Sequence, residues 1–229
     1  MELQEKIERV QQRIAAACHR SGRRPEDVKL VAVSKTVAPD HIRQVYEAGL
    51  RDFGENRVQE ASDKRRELSD LTATWHLIGH LQTNKARLAR ELFHWVHSVD
   101  SLRLAAKLDK ATVCSGDRLQ VFLEVNLGDE PAKSGAREEN VLELARQVSQ
   151  LETLELRGLM TIPPFDEDPE RMRPSFRRLR ELAEKIELSH LPNVLMKDLS
   201  MGMSHDFEVA IEEGATIVRV GTAIFGERQ

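Results

Sequence analysis

The sequence predicts an α/β protein: one (β/α)₈ TIM-type barrel with an extra N-terminal helix, forming a single domain over residues 1–229. Three observations lead there. Strand-like runs alternate strictly with helix-like runs from end to end, which implies parallel strands joined by helical crossovers. Eight such units fill a chain of 229 residues, near the lower end of the range for these barrels. The turn after the first strand, VSKTVAP, holds no glycine, whereas an open doubly wound sheet would carry a Gly-rich dinucleotide loop there.

The elements follow in order. MELQEKIERVQQRIAAAC places Leu3, Ile7, Val10, Ile14 and Ala17 on one helical stripe, too short for a coiled-coil seam and suited to packing on the barrel. VKLVAVSKT is the first strand. PDHIRQVYEAG is its helix, with Asp40 in the first turn and Gly49 near the end. LRDFGENRV gives strand and loop, then the helical QEASDKRREL. WHLIGH is a short strand before TNKARLARELF, with Thr83 as the expected N-cap. WVHSVDS and SLRLAAKLDKAT form the fourth unit, and LQVFLEVNL with AREENVLELARQVSQL the fifth. LELRGLMTI precedes a long basic helix from about Pro169 to Leu188. Its buried face is Phe176, Leu179, Ala183 and Ile186, which leaves its arginines to solvent, with an acidic partner as the alternative. VLMKDLSMGMS then feeds the helical DFEVAIEEG, and ATIVRVGTAIFG is the eighth unit.

Composition excludes several classes of function. The net charge of −4 gives no global signal for nucleic acid or membrane. No apolar run has the length to cross a bilayer, and the charged N-terminus is not a signal peptide. Cys18 and Cys114 form no motif and read as reduced thiols. A cytoplasmic protein is expected.

In a barrel, function collects at the C-terminal strand ends. Here they carry Lys35, the run Gly54-Glu55-Asn56-Arg57, His80, Asp100, Asn126, Met160-Thr161, SMGMS, and Arg219 with Gly221-Thr222. Ser204 lies where it could cap the next helix and leave backbone N–H groups free. Gly221 allows close approach, and Thr222 adds a hydroxyl. Together these loops suit a phosphate, although a helix cap with a tight turn stays open. Arg219 interrupts the apolar IVRVG and needs a partner: either a barrel carboxylate such as Glu124, or a ligand heteroatom. A lysine, a phosphate site and a donor suggest a phosphorylated aldehyde held as a Schiff base, for which pyridoxal phosphate (PLP) is the common case. Burial would favour the neutral, nucleophilic amine. A metal reading of His76, His80, His94 and His97 lacks an HxH pair or a carboxylate cluster. SHD at 204–206 is no triad, because triad members converge from distant positions.

VAVSKT, FGENRVQE, WHLIGHLQTNK, LSMGMSHDFEVAI and GATIVRVGTAIFG, in this order, resemble the pyridoxal phosphate homeostasis protein family, alanine-racemase-like PLP-binding proteins. The resemblance runs over nearly the whole chain. It implies a barrel like the N-terminal domain of alanine racemase and pyridoxal 5'-phosphate as cofactor. It further implies that Lys35 forms the Schiff base and that Asn56 lies near the cofactor. Ser204, Gly221 and Thr222 match the phosphate cradle, Arg219 faces the pyridine nitrogen, and His80 lines the same rim.

A cation beside the pyridine nitrogen disfavours its protonation and weakens the electron sink, which argues against transamination. A two-base racemase also needs a second proton-transfer group. In alanine racemase this is a tyrosine from a C-terminal β-domain of the partner subunit. This sequence holds one tyrosine, Tyr46, in the first crossover helix, and ends at Gln229. The expected function is therefore non-catalytic PLP binding in intracellular vitamin B6 homeostasis, with PLP-dependent apoenzymes as candidate recipients. A weak PLP-dependent amino-acid racemase is the alternative. Without the β-domain, a monomer is expected.

Overall fold

A computed structural model describes residues 2–113, 117–128 and 134–226. Its parallel strands are β1 (Lys29–Val33), β2 (Asp52–Glu55), β3 (Thr74–Leu77), β4 (Trp95–Val99), β5 (Leu119–Asn126), β6 (Ala136–Arg137), β7 (Leu154–Met160), β8 (Val194–Ser200) and β9 (Ile217–Val220). They pair in the order β4-β3-β2-β1-β9-β8-β7-β5, and β4 also pairs with β5. That last pairing closes eight strands into a barrel and eliminates the open sheet. β6 is a two-residue strand beside the end of β5, outside the ring. It has too few residues to leave a periodic signal in the sequence.

The helices are α1 (Leu3–Arg20), α2 (Pro39–Glu47), α3 (Val58–Glu67), α4 (Ala86–Leu92), α5 (Leu102–Thr112), α6 (Glu138–Val148), α7 (Arg173–Glu187), α8 (Phe207–Glu212) and α9 (Thr222–Phe225). Strand pleating divides the apolar residues by parity. Ala32, Val121, Leu123, Val218 and Val220 join the main core against the helices. Val31, Phe122, Met160 and Ile217 form a smaller cluster of their own, with Trp95 packed on it. Gly158 lets β7 and β8 touch: a Cβ there would lie 1.7 Å from the Asp198 carbonyl oxygen.

The α1 stripe is buried at Ile7, Val10, Ile14 and Ala17, together with the free thiol of Cys18. Cys114 lies outside the described residues. Arg13 and Arg20 of α1 pair with Glu208 and Glu212 of α8, at 2.6 and 2.7 Å. Thr83 is not an N-cap. It opens a short 3-10 turn, Thr83–Lys85, ahead of α4.

The buried face of α7 is as expected, with Leu182 added, but its arginines are not simply solvated. Arg173, Arg177 and Arg180 converge on Glu213, at 3.3, 2.9 and 3.5 Å. Glu213 is the C-cap of α8 and is buried. A carboxylate at a helix C-terminus meets the negative end of the dipole, so these cations compensate it. The acidic partner of α7 lies in the same chain.

A second charged cluster fixes the loop after β1. Lys64 of α3 is buried. Its ammonium donates to the Ser34 carbonyl at 2.6 Å, to Glu55 at 2.8 Å and to Glu60 at 2.6 Å. Ser34 Oγ donates to Glu55, and the Thr36 amide to Glu60. Burial raises the Glu55 carboxyl above its ordinary range, with Lys64 opposing. At Glu60, burial pushes upward, but Lys64 and the Thr36 amide hold the carboxyl low. The cluster thus grips the backbone on both sides of Lys35, including Thr36, a β-branched residue held at φ 63°. Lys64→Met would strand the fully buried Glu55. It is expected to destabilise the protein by about 3–5 kcal/mol in urea unfolding; a loss under about 1 kcal/mol would mean the cluster carries little.

Candidate functional site

Lys35, Asn56, His80, Ser204, Arg219, Gly221 and Thr222 all line one cavity of about 510 Å³ at the C-terminal end of the barrel. Backbone parity explains the gathering. Val31 and Val33 on β1 are followed by Lys35, and Ile217 and Arg219 on β9 by Gly221. Their alternate residues, Ala32, Val218 and Val220, face the helices. β1 and β9 pair with Val31 opposite Arg219, so the lysine and the guanidinium belong to adjacent strands. Asn56 directly follows β2. Gly79, after β3, crosses so close to it that a Cβ would sit 2.4 Å from the Asn56 carbonyl oxygen.

Arg219 is 3 % exposed. Its guanidinium donates to Ser200 Oγ at 2.7 Å and to the Thr161 carbonyl at 2.9 Å. Among the described residues it forms no ion pair with Glu124. Burial lowers its pKa to about 10, while Asp206 and Glu124 act in the opposite sense from further away.

Glu124 lines the same cavity. Its Oε2 is buried and, among the described residues, has no hydrogen-bond partner. Burial, followed by the charge of Asp100, pushes its carboxyl up to about 7, with Arg219 opposing. Its position two residues beyond the inward Phe122 is the signal that could have placed it in the site. From the sequence it is a candidate partner for Arg219.

Ser204 does not cap α8. Asp206 occupies that position, and its carboxylate accepts from the Met203 amide at 2.6 Å. Ser204 faces β9 instead. Its Oγ accepts from the amides of Gly221 at 3.2 Å and Ala223 at 3.4 Å, at the start of α9. Two residues separate Ser204 from α8, and Gly202 at φ 90° turns the chain between β8 and Ser204. The serine therefore serves the neighbouring unit. Amide hydrogens and a hydroxyl at one point suit an anion.

His80 sits at the mouth with its side chain 54 % exposed, 3.7 Å from Asp100 and 3.4 Å from Ser134 Oγ. Met203 of the rim run SMGMS and His205 of SHD also line the cavity, as does Ser134, which lies on a loop and leaves no periodic signal in the sequence. Asp100, Asn126 and Thr161 share the rim but do not line the cavity. The described residues contain no group of three or more metal-ligating side chains, and His76 lies buried in the barrel. No described helix is long and apolar enough to cross a membrane.

Comparison with known proteins adds the ancestry. Residues 6–229 match the family model described as alanine racemase, N-terminal domain. The pyridoxal phosphate homeostasis protein of Aquifex aeolicus is 48 % identical over 225 residues, 98 % of each chain. PipY of Synechococcus elongatus, solved with PLP bound, is 41 % identical at a TM-score of 0.85, covering 98 % of this chain and 100 % of that one. An alanine racemase of Clostridium difficile shares the fold at a TM-score of 0.76 with 15 % identity, covering 99 % of this chain and 56 % of the racemase. The chain therefore belongs to the pyridoxal phosphate homeostasis protein family, within the alanine racemase N-terminal-domain barrels.

Proposed function

We propose that this protein binds pyridoxal 5'-phosphate without catalysis, as a Schiff base on Lys35, and buffers or delivers it within the cell. The observation that carries this reading is the convergence of all seven residues on one cavity. The donor set fits the group. Ser204 Oγ, which accepts from the Gly221 and Ala223 amides, keeps its own proton to give to a phosphate. The Thr222 hydroxyl lies beside them. A guanidinium can only donate, so Arg219 suits an unprotonated pyridine nitrogen. Glu124 Oε2 is buried without a hydrogen-bond partner among the described residues, so a donor on a ligand would satisfy it. PLP supplies an aldehyde carbon that condenses with a primary amine, releasing water.

The chain's own residues set the rest. The Lys64 cluster fixes the backbone on either side of Lys35, which limits where the amine can reach. Asn56 and His80 complete the wall. A cation held against the ring nitrogen would keep it unprotonated and the ring a weak electron sink, so Arg219 supports a holding role. PLP-dependent apoenzymes are the proposed recipients, the cytoplasm the proposed compartment, and a monomeric single domain the proposed form.

A weak amino-acid racemase remains the second reading. Glu124, with its carboxyl pushed up to about 7, and His80 at the mouth are groups that could move a proton opposite Lys35.

Protein mixed with PLP is expected to turn yellow, and borohydride to fix the cofactor on Lys35, as located by peptide mass spectrometry. A colourless mixture, or a label on another lysine, overturns the assignment. In a sensitive assay with several L-amino acids, the carrier reading expects no D-enantiomer. Turnover that vanishes in Lys35→Ala would establish the racemase instead.

A further inference from the structure

The barrel interior beneath the cavity holds an unbroken line of polar side chains. Arg219 Nη1 lies 2.7 Å from Ser200 Oγ. Ser200 Oγ lies 2.8 Å from His97 Nδ1. His97 Nε2 is 3.0 Å from His76 Nδ1, and His76 Nε2 is 2.9 Å from Asp52 Oδ1. Lys29, at the start of β1, donates to the same carboxylate oxygen at 3.1 Å. Ser200, His97 and His76 are fully buried, and the line runs from the cavity to the opposite end of the barrel.

The direction of every hydrogen bond follows from the two ends. The guanidinium can only donate, so Ser200 Oγ accepts from it and keeps its own proton, available for His97 Nδ1. The Asp52 carboxyl is held low, because His76 and Lys29 outweigh its burial. An ionised carboxylate can only accept, so His76 donates from Nε2. A neutral imidazole has one N–H, which makes His76 Nδ1 an acceptor and His97 Nε2 its donor. Two neutral rings therefore each carry the proton on Nε2. Burial agrees: it lowers the His76 pKa despite Asp52, and takes His97 well below the ordinary value. The chain Arg219, Ser200, His97, His76, Asp52 closes with no proton missing or in excess. His97 is fixed further by Phe122, stacked at a ring separation of 4.4 Å, and His76 by Trp95 at 5.7 Å.

We propose that Ser200, His97 and His76 are positioning residues. They form a one-way hydrogen-bond relay that aims Arg219 at the cofactor ring and links its charge to the Asp52 carboxylate at the barrel floor. Hydrogen bonds aligned in this way polarise one another in a low-dielectric interior. A change at Asp52 should therefore be felt at the cavity, although Asp52 does not line it. The relay itself is independent of any ligand; its effect on the cofactor rests on the reading that Arg219 faces the pyridine nitrogen.

Two measurements test it. In the protein without PLP, ¹⁵N NMR of the imidazoles at pH 7 is expected to show both His76 and His97 neutral and protonated on Nε2. A proton on Nδ1 of either ring, or a charged ring, overturns the relay. With PLP, Ser200→Ala is expected to weaken binding about 10-fold, the loss of one hydrogen bond to a charged group, and to shift the cofactor absorption band. Ser200→Thr, which keeps the hydroxyl, should restore both. Asp52→Asn, at the far end, should shift the band in the same direction as Ser200→Ala. An unchanged band in folded Ser200→Ala and Asp52→Asn overturns the proposal. If the unaltered protein takes up no PLP, the functional reading fails and the cofactor half of the proposal fails with it; the imidazole spectra still decide the relay.

Discussion

A guanidinium sealed inside a parallel barrel is the constraint on which the rest of this structure turns. Removing such an ion from water costs several kcal/mol unless its donors and its charge are both met. Among the described residues, Arg219 meets that demand without a contact ion pair. Its donors go to a hydroxyl and a carbonyl, and its charge is balanced at longer range by Glu124 and Asp206. Neutral partners leave the guanidinium capable of a further interaction, which a tight carboxylate pair would have consumed. The interior is shaped to match. His76, His97 and Ser200 occupy positions that are apolar in most barrels of this kind, and Trp95 and Phe122 pack around them.

The two ends of the barrel are specialised by the same pleat. Inward positions at the C-terminal ends of the strands supply Lys35, Glu124 and Arg219 to the cavity. At the other end Lys29 and Asp52 form an ion pair at 3.1 Å. The polar line joins the two ends where apolar layers would have isolated them. Around the outside, charge plays a simpler part. The arginines of α7 and α1 secure the short helix α8, whose C-cap residue, Glu213, carries a buried carboxylate. Lys64 plays the equivalent part beneath the β1–α2 loop. In both places a buried glutamate is paired because leaving it alone would be costly.

Much of this was legible in the sequence. Alternating runs of period two and period 3.6 gave the eight units, and the apolar stripe of α1 gave its docking face, since both follow from local geometry. Lys35, Asn56, His80, Arg219 and Gly221 were legible as rim residues because a strand end has a fixed position in a parallel barrel. Other features were not legible. Thr83 has N-cap chemistry, yet the chain makes a 3-10 turn there. Ser204 has the composition of a cap for α8, yet Gly202 turns it toward α9. The arginines of α7 looked solvated because their partner lies 36 residues from Arg177, on another element.

The sequence by itself determined the order of the elements, the parity of each strand, and which side chains stand at the rim. These are properties of backbone geometry acting over a few residues. The tertiary structure alone decided which neutral groups receive the buried guanidinium, where Ser204 points, and that two histidines from different strands touch at 3.0 Å. Those outcomes depend on the stagger between strands once the barrel closes, a distance relation between residues far apart in the chain that no local pattern records.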